Sequence, residues 1–164
     1  MITKVTNSFI IKSAKRVMSQ LGGGHTESVY QCALVSLFMS QGVSTMTEVV
    51  IPYMVDGICV GTGRADILLK THLIELKSSV PSFSGAENQL RKYMKAMYSQ
   101  CSSPRSGVVI LFDHPKHKVS LLFVSHTSAI KNKQSVKKLP VYSDKNNKTP
   151  KDTIKTPKRR VDRT

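Results

Sequence analysis

The sequence predicts an α/β fold, with helices and strands in one domain, from two observations. Two helix-type segments precede three strand-type segments, and a further helix and two more strands follow, which gives the order α-α-β-β-β-α-β-β. The all-apolar run at residues 107–112 is typical of a central strand that is covered on both faces. A chain of 164 residues is long enough for one domain with a substantial core.

Three helices are predicted from apolar residues that recur at helical spacing. Ile10, Ala14 and Val17 share one face of the first helix, and a run of three glycines ends it. Thr26 is expected to cap the second helix and Gly42 to end it. The three segments are residues 7–24, 26–42 and 84–100.

Five strands are predicted from runs of β-branched and other apolar residues. The dipeptide Asp56-Gly57 is typical of a tight hairpin turn between the first two strands. Pro52 predicts that the first strand lies at a sheet edge or is bulged, because proline cannot donate a ladder hydrogen bond. A second tight turn is expected at Lys70-Thr71. The strands are residues 48–55, 58–70, 73–78, 107–112 and 118–125.

Charge divides the chain into two parts. The formal net charge is +15, and residues 131–164 alone contain 12 Lys and Arg against 3 Asp. This segment is poor in large apolar residues, so we expect a folded domain at 1–128 and a basic Lys/Pro-rich tail at 129–164 that is extended or disordered unless bound. The tail is interpreted as a nucleic-acid arm or nuclear address, with a solvated solubility tag as the alternative. The basic cluster in it is Lys158, Arg159 and Arg160.

Composition also restricts the partner and the compartment. The strong positive charge favours a polyanion, DNA before RNA, over an anionic membrane. No run of about 18 apolar residues occurs and the first residues lack the apolar region of a signal peptide, so we expect an intracellular protein, nuclear or cytoplasmic or packaged in a virion, and not a secreted one. The three cysteines are widely spaced without a CxxC pair, and we expect them to be small buried residues. His72, His114 and His117 are expected at the surface.

Two carboxylates and a lysine interrupt the apolar strands of the Lys70-Thr71 hairpin. Alternation puts Glu75 and Lys77 on one face of their strand, and a tight turn brings Asp66 opposite or diagonal to Glu75. Two carboxylates at that spacing repel each other unless a cation lies between them, and a hard ion such as Mg²⁺ suits an all-oxygen site. The alternative is a structural ion pair of Lys77 with Glu75 or Asp66 on a solvated sheet face.

Two further polar residues are candidates for the same site. Glu27 begins the second helix and shares a face with Tyr30 and Gln31. Its alternative role is a favourable interaction with the helix dipole. Gln89 lies opposite the apolar stripe of the third helix, one turn from Lys92, and its alternative is an ordinary exposed glutamine.

Four segments together resemble the PD-(D/E)xK nuclease superfamily, in the branch named for a Gly-x-x-Glu-x-x-Tyr motif. "GHTESVY" matches that motif, and "GTGRADILLKTHLIELKSS" is similar to its Arg-x-Asp hairpin with the following Glu-x-Lys. "ENQLRKYMKAM" is similar to the Gln-Leu-x-x-Tyr helix, and "GVVILFD" resembles the strand that follows it. The resemblance covers roughly residues 8–113 in the expected order.

The resemblance implies a restriction-endonuclease-like core, a central mixed sheet flanked by helices, and a role for each matching residue. Mg²⁺, or Mn²⁺ as a substitute, would be held by Asp66, Glu75 and the backbone carbonyl of Leu76, with Glu27 reaching it directly or through water. Lys77 would orient or activate the attacking water. Gln89 and Tyr93 would support the lysine and the phosphate. The residues themselves add Arg64 and Lys92 as candidate phosphate contacts.

These observations predict a Mg²⁺-dependent deoxyribonuclease that hydrolyses phosphodiester bonds, with binding strengthened by counterion release from the basic surface and tail. The alternative is a protein that keeps a nuclease-like fold without cutting. Such a protein would act as a structural or scaffolding module in a virion or nucleoprotein assembly, and its tail would bind nucleic acid or partner proteins. RNA is the alternative substrate.

Overall fold

The computed structural model describes residues 4–78, 83–98, 104–113 and 116–125, which form three helices and five strands in the predicted order. The predicted positions are close to the observed ones, and the fifth strand has the predicted bounds. The first strand begins three residues earlier than expected. The elements are α1 (Asn7–Leu21), α2 (Glu27–Ser40), β1 (Thr45–Val55), β2 (Ile58–Leu69), β3 (His72–Ser78), α3 (Ser84–Tyr98), β4 (Ser106–Asp113) and β5 (Lys118–Ser125).

The strands form one mixed sheet in the order β1-β2-β3-β4-β5. Neighbouring strands run antiparallel except β3 and β4, which are parallel because α3 connects them in a crossover. Residues 107–112 of β4 are all buried, and β4 pairs with a strand on each side. The predicted mixed sheet, with β4 as a covered inner strand, is therefore confirmed.

Helices cover both faces of the sheet, and each face has its own apolar core. Residues of α1 and α2 pack with Ile74 and Leu76 of β3 in one cluster, whereas residues of α3 pack with Leu73 of the same strand in the other. This alternation along β3 leaves Glu75 and Lys77 on the opposite side of the strand from Ile74 and Leu76, as the sequence predicted.

The predicted turns and helix ends are observed, with one difference at a cap. Asp56 and Gly57 have φ angles of 49° and 82°, as a hairpin turn of the primed type requires. Gly42 has a φ of 73° just after α2, and Pro52 lies in the edge strand β1. Thr26 occupies the N-cap of α2, but its hydroxyl pairs with that of Ser28 instead of a helix N–H group.

Two predictions of exposure are wrong. His72 is buried, because β3 begins at this residue and its ring lies between Thr71 Oγ1 at 2.8 Å and Asn7 Oδ1, at the start of α1, at 2.9 Å. Cys32 and Cys59 are exposed instead of buried, the second of them in the β1–β2 hairpin. His117 is exposed as predicted.

Some predictions concern residues outside the described ranges. These are His114, Cys101 and the whole basic tail, including Lys158, Arg159 and Arg160. The division into a domain at 1–128 and a tail at 129–164 stays a prediction. Among the described helices, none combines the length and the apolar character needed to cross a membrane.

Candidate active site

A pocket of about 760 Å³ opens beside β2 and β3. It brings together all five residues that were predicted to be catalytic, which are Glu27, Asp66, Glu75, Lys77 and Gln89. Leu76, Arg64 and Tyr93 also line it. Lys92 is exposed on α3 and does not line this pocket.

The divergence of two paired strands opens the pocket at Asp66. The described pairing of β2 with β3 consists of Ile67 opposite Ile74 and Leu68 opposite Leu73, next to the two-residue turn. Asp66 is the next residue along β2, and its Oδ2 accepts a hydrogen bond from the backbone N–H of Leu76 at 2.6 Å. This short bond fixes the Asp66 carboxylate beside Glu75.

Glu75 is a buried carboxylate with one oxygen that has no partner. Its side chain is 1% exposed, and Oε1 accepts a hydrogen bond from Lys77 Nζ at 2.8 Å. Oε2 is buried without a hydrogen-bond partner. Burial raises the pKa of Glu75 to about 7 against the opposing effect of Lys77, and the nearby Asp66 carboxylate raises it further. Such an oxygen is free to receive a cation.

The pKa of Asp66 is also raised. Burial is the largest cause, and the Leu76 N–H bond and the positive charge of Lys77 oppose it. The carboxylates of Glu27 and Glu48 raise the pKa further. Two neighbouring acids that both resist ionisation indicate a site with unbalanced negative charge.

Lys77 lies between carboxylates from two elements. Its Nζ is 2.8 Å from Glu75 Oε1 and 3.7 Å from Glu27 Oε2. Burial lowers the pKa of Lys77, but the hydrogen bond to Glu75 and the surrounding carboxylates outweigh it, so the pKa is raised overall. Lys77 is therefore protonated at neutral pH in this arrangement.

Glu27 is held at the start of α2 by its neighbours. Its Oε1 accepts the backbone N–H of Ser78 at 3.1 Å, which joins α2 to the end of β3. Tyr30, one turn later, is buried, stacks on Phe112 at a centroid distance of 4.0 Å and donates a hydrogen bond to the Gly22 carbonyl oxygen at 2.9 Å. The Glu and Tyr of the sequence motif thus have different roles, since Tyr30 anchors the helix that carries Glu27.

Helix α3 supplies the opposite wall of the pocket. Gln89 Nε2 donates to the Tyr93 hydroxyl oxygen at 2.9 Å, and the same oxygen accepts the backbone N–H of Arg64 at 3.3 Å. Gly63 allows this close packing, because a Cβ there would overlap Tyr93 Cε1 and lie 2.6 Å from the Tyr53 hydroxyl oxygen. Gln89 therefore acts on the pocket through Tyr93.

Glu48 and Gln31 also line the pocket, and neither was predicted as a site residue. Glu48 of β1 forms an ion pair with Arg64, from Oε2 to Nε at 2.8 Å, and accepts a hydrogen bond from Gln31 at 2.9 Å. Gln31 also donates to the backbone carbonyl oxygen of Asp66 at 2.8 Å. The helical spacing of the sequence puts Gln31 on the same face as Glu27, and this could have identified Gln31 as a site residue. Nothing in the sequence of β1 sets Glu48 apart from the other polar residues of that strand.

The donor set of the pocket fits a hard divalent cation. Four carboxylates line it against two cationic side chains, Arg64 and Lys77, in a chain whose net charge is +15. Oxygen ligands are those that Mg²⁺ prefers, and Glu75 Oε2 has no other partner. Within the described ranges no group of three His, Cys, Asp or Glu side chains is already gathered at ligand spacing, and Asp66 and Glu27 accept hydrogen bonds from backbone N–H groups.

Comparison with known proteins identifies the family. No curated protein matches the chain. The crystal structure of SSO0001 is similar at 17% sequence identity, with a TM-score of 0.45 over 64% of this chain and 55% of that one, so the alignment spans about half the length of SSO0001. The family model of the PD-(D/E)XK nuclease superfamily matches residues 4–121, and the branch within it stays a prediction from the motif. With a mixed sheet flanked by helices and a match over more than half of its length, this chain belongs to the PD-(D/E)XK nuclease superfamily and has its restriction-endonuclease-like α/β fold.

Proposed function

We propose that this protein is a metal-dependent nuclease that hydrolyses phosphodiester bonds of DNA. The observation that carries the proposal is the buried, unpartnered Oε2 of Glu75, which lies beside Asp66 and Lys77 in the pocket. A fold that needs no cation gains nothing from a buried carboxylate whose ionisation is opposed, because burying an unsatisfied charged oxygen destabilises the folded state.

Asp66 and Glu75 would hold Mg²⁺, or Mn²⁺ in its place, together with the carbonyl oxygen of Leu76. Glu27 would reach the ion directly or through water. The chemistry that the bound ion supplies is charge neutralisation at the scissile phosphate and a lower pKa for the attacking water. The N–H bond from Leu76 keeps Asp66 oriented for this role, and the contact with Ser78 does the same for Glu27.

Lys77 would stabilise charge and orient or activate the attacking water. Its raised pKa keeps it protonated, so Nζ has hydrogen-bond donors and no lone pair at neutral pH. A fixed positive charge next to the phosphate stabilises the negative charge that develops on its oxygens. Gln89 orders the neighbouring wall of the site through its bond to Tyr93.

The charge of the chain supports nucleic acid as the substrate. Arg64 lies at the pocket with its side chain 71% exposed, where its planar fork suits a backbone phosphate. Lys92 would contact the backbone outside the pocket. The tail, with Lys158, Arg159 and Arg160, would add sequence-independent affinity through counterion release.

A second candidate function is nucleic-acid binding without cleavage, as a structural module of a virion or nucleoprotein assembly. The observation that favours it is the engagement of the pocket carboxylates by the protein itself. Asp66 is bonded to a backbone N–H group, and Glu75 and Glu27 both lie beside Lys77. A site stabilised in this way holds its shape without an ion, and the tail would then provide the contacts to nucleic acid or to partner proteins.

A cleavage assay separates the two functions. Wild type, Asp66→Ala and Asp66→Asn are incubated with plasmid DNA, linear DNA and a structured RNA, each with Mg²⁺, Mn²⁺ or EDTA. We expect metal-dependent nicking of DNA by the wild type and none by either variant. Glu87→Gln is the matched control, because Glu87 pairs with Arg91 on α3 outside the pocket. DNA binding without cutting under either metal would reject the nuclease and favour the binding module, and cutting confined to RNA would replace DNA as the substrate.

A further inference from the structure

Glu48 adopts a left-handed backbone conformation inside a strand. Its φ angle is 53°, which for a residue with a side chain costs about 1 kcal/mol or more. The pairing of β1 with β2 continues on both sides of it, with Thr47 opposite Ile67 and Val49 opposite Ala65. Such a conformation persists where the contacts around it hold it in place, and it occurs preferentially at functional sites.

Each oxygen of the Glu48 carboxylate contacts a side chain from a different secondary-structure element. Oε2 pairs with Arg64 Nε of β2 at 2.8 Å, and Oε1 accepts a hydrogen bond from Gln31 Nε2 of α2 at 2.9 Å. Gln31 Nε2 also donates to the Asp66 carbonyl oxygen at 2.8 Å. One carboxylate thereby links Arg64 to the strand segment that carries Asp66.

Arg64 is held at its backbone and at its guanidinium by different elements. The backbone N–H group of Arg64 donates to the Tyr93 hydroxyl oxygen of α3, and its side-chain Nε forms an ion pair with Glu48 of β1. The Arg64 atom of this ion pair is Nε, and the far edge of the guanidinium is formed by the two Nη groups. This edge presents two parallel N–H donors, the geometry in which arginine binds a phosphate through two hydrogen bonds.

We propose that Glu48 is a positioning residue, which orients Arg64 so that its Nη edge receives a backbone phosphate and which fixes the Asp66 segment through Gln31. The inference rests on the proposed function only in that the phosphate belongs to the nucleic-acid substrate. It assigns a role to the fourth carboxylate of the pocket, whose two oxygens contact Arg64 and Gln31.

A positioning role for Glu48 and simple electrostatic repulsion predict opposite changes in DNA affinity when the Glu48 carboxylate is removed. A carboxylate that only lies near the phosphate would repel it, so its removal would strengthen DNA binding. A carboxylate that orders Arg64 reduces the conformational freedom lost on binding, so its removal would weaken binding. The sign of the change in affinity therefore tests the proposal directly.

The experiment is a double-mutant cycle on the full chain, with a fluorescent DNA duplex in EDTA. The variants are Glu48→Gly, Arg64→Ala and the double variant, with Glu48→Gln as the conservative change and Glu87→Gln as the control. Glycine accepts a φ of 53°, so Glu48→Gly removes the carboxylate without straining the backbone. Thermal melting of each variant verifies that it is folded. The tail contributes equally to every variant, so ratios of affinity isolate the pocket.

We expect Glu48→Gly to weaken DNA binding by about three- to tenfold, the loss of one charge-assisted contact at an exposed position. In the Arg64→Ala background the same change should cause no further loss of affinity, because Glu48 acts on the phosphate contact through Arg64. Glu48→Gln should recover part of the affinity, since its amide oxygen can still accept a hydrogen bond. Tighter binding by Glu48→Gly, unchanged binding, or an equal loss in the Arg64→Ala background would each overturn the proposal.

Cleavage assays on the same proteins distinguish a failure of this inference from a failure of the proposed function. In an active nuclease, Glu48→Gly should raise KM by a similar factor and lower kcat less. If wild type cuts DNA and Glu48→Gly leaves KM unchanged, the positioning role is wrong and the nuclease stands. If wild type does not cut but the binding cycle shows the expected dependence on Arg64, the nuclease is wrong and Glu48 still positions Arg64.

Discussion

The free energy of unfolding should depend on pH through the Glu75 carboxyl, and replacing Glu75 by glutamine should remove this dependence. The pKa of Glu75 is about 7 in the folded chain and 4.5 as the ordinary value of an exposed glutamate. Between these values the folded state binds more protons than the unfolded state, so the free energy of unfolding falls as pH rises. The stabilising contribution is therefore complete below about pH 4.5 and lost as pH rises through about 7.

The magnitude follows from the difference in pKa. At about 1.4 kcal/mol for each pH unit, the interval from 4.5 to about 7 corresponds to about 3 kcal/mol of unfolding free energy. Asp66 titrates in the same direction, because burial raises its pKa too. The difference in unfolding free energy between wild type and Glu75→Gln, measured at each pH, removes the part of the Asp66 titration that the two proteins share. The cost of burying a glutamine amide is independent of pH and cancels from the change in this difference.

The assay is urea unfolding followed by circular dichroism, in EDTA, at several values between about pH 4.5 and about pH 8. We expect wild type to lose about 3 kcal/mol relative to Glu75→Gln across this range. At about pH 8, Mg²⁺ should then raise the melting temperature of wild type more than that of Glu75→Gln, because the variant lacks one of the carboxylates that would hold the ion. A difference between the two proteins that stays constant with pH would refute the reasoning and remove the main support for a cation at this site.

The other predictions concern catalysis, the tail and the pocket wall. Lys77→Ala should retain most of the Mg²⁺ affinity seen by calorimetry and lose cleavage, whereas loss of both would make Lys77 a structural partner of the carboxylates. Deletion of 131–164, which contains 12 Lys and Arg, should weaken DNA binding and reduce its dependence on salt concentration, and an unchanged salt dependence would exclude a DNA-binding tail. Gly63→Ala should lower the free energy of unfolding by about 1–3 kcal/mol in chemical denaturation, because its methyl group would overlap Tyr93, and unaltered stability would contradict the close packing described above.

Local patterns in the sequence predicted most of the fold, because the forces that set each element act over a few residues. The hairpin at Asp56-Gly57 needs two residues that tolerate positive φ, and both have it. The site core was predictable for the same reason, since Asp66, Glu75 and Lys77 are joined by a two-residue turn and strand alternation orients them. Gln89 reaches the pocket from the crossover helix α3, and both its position opposite the apolar stripe of that helix and the family resemblance suggested it.

Features that depend on distant segments could not be predicted. His72 is buried because Asn7, 65 positions earlier in the chain, lies against its ring, and nothing near the hairpin turn in the sequence indicates this. The role of Glu48 depends on a backbone conformation and on contacts with two other elements, which its neighbours in the sequence do not encode. The β1–β2 hairpin exposes Val50, Ile58 and Val60, although their apolar character alone would have placed them in a core.

Charge is arranged on two length scales that act in opposite directions on a phosphate. The chain as a whole, at +15, attracts a polyanion, whereas four of its ten acidic residues line a single pocket with two cationic side chains. Ions in solution screen charges beyond about 8 Å at physiological ionic strength, so a phosphate inside the pocket interacts mainly with its lining. It would meet an excess of negative charge there until a cation binds. A bound cation should therefore strengthen the binding of nucleic acid, and nucleic acid should strengthen the binding of the cation by the same factor, because the coupling between two ligands is reciprocal. We expect this coupling to arise at the carboxylates of the pocket, among them the buried Oε2 of Glu75, whose charge the cation would neutralise.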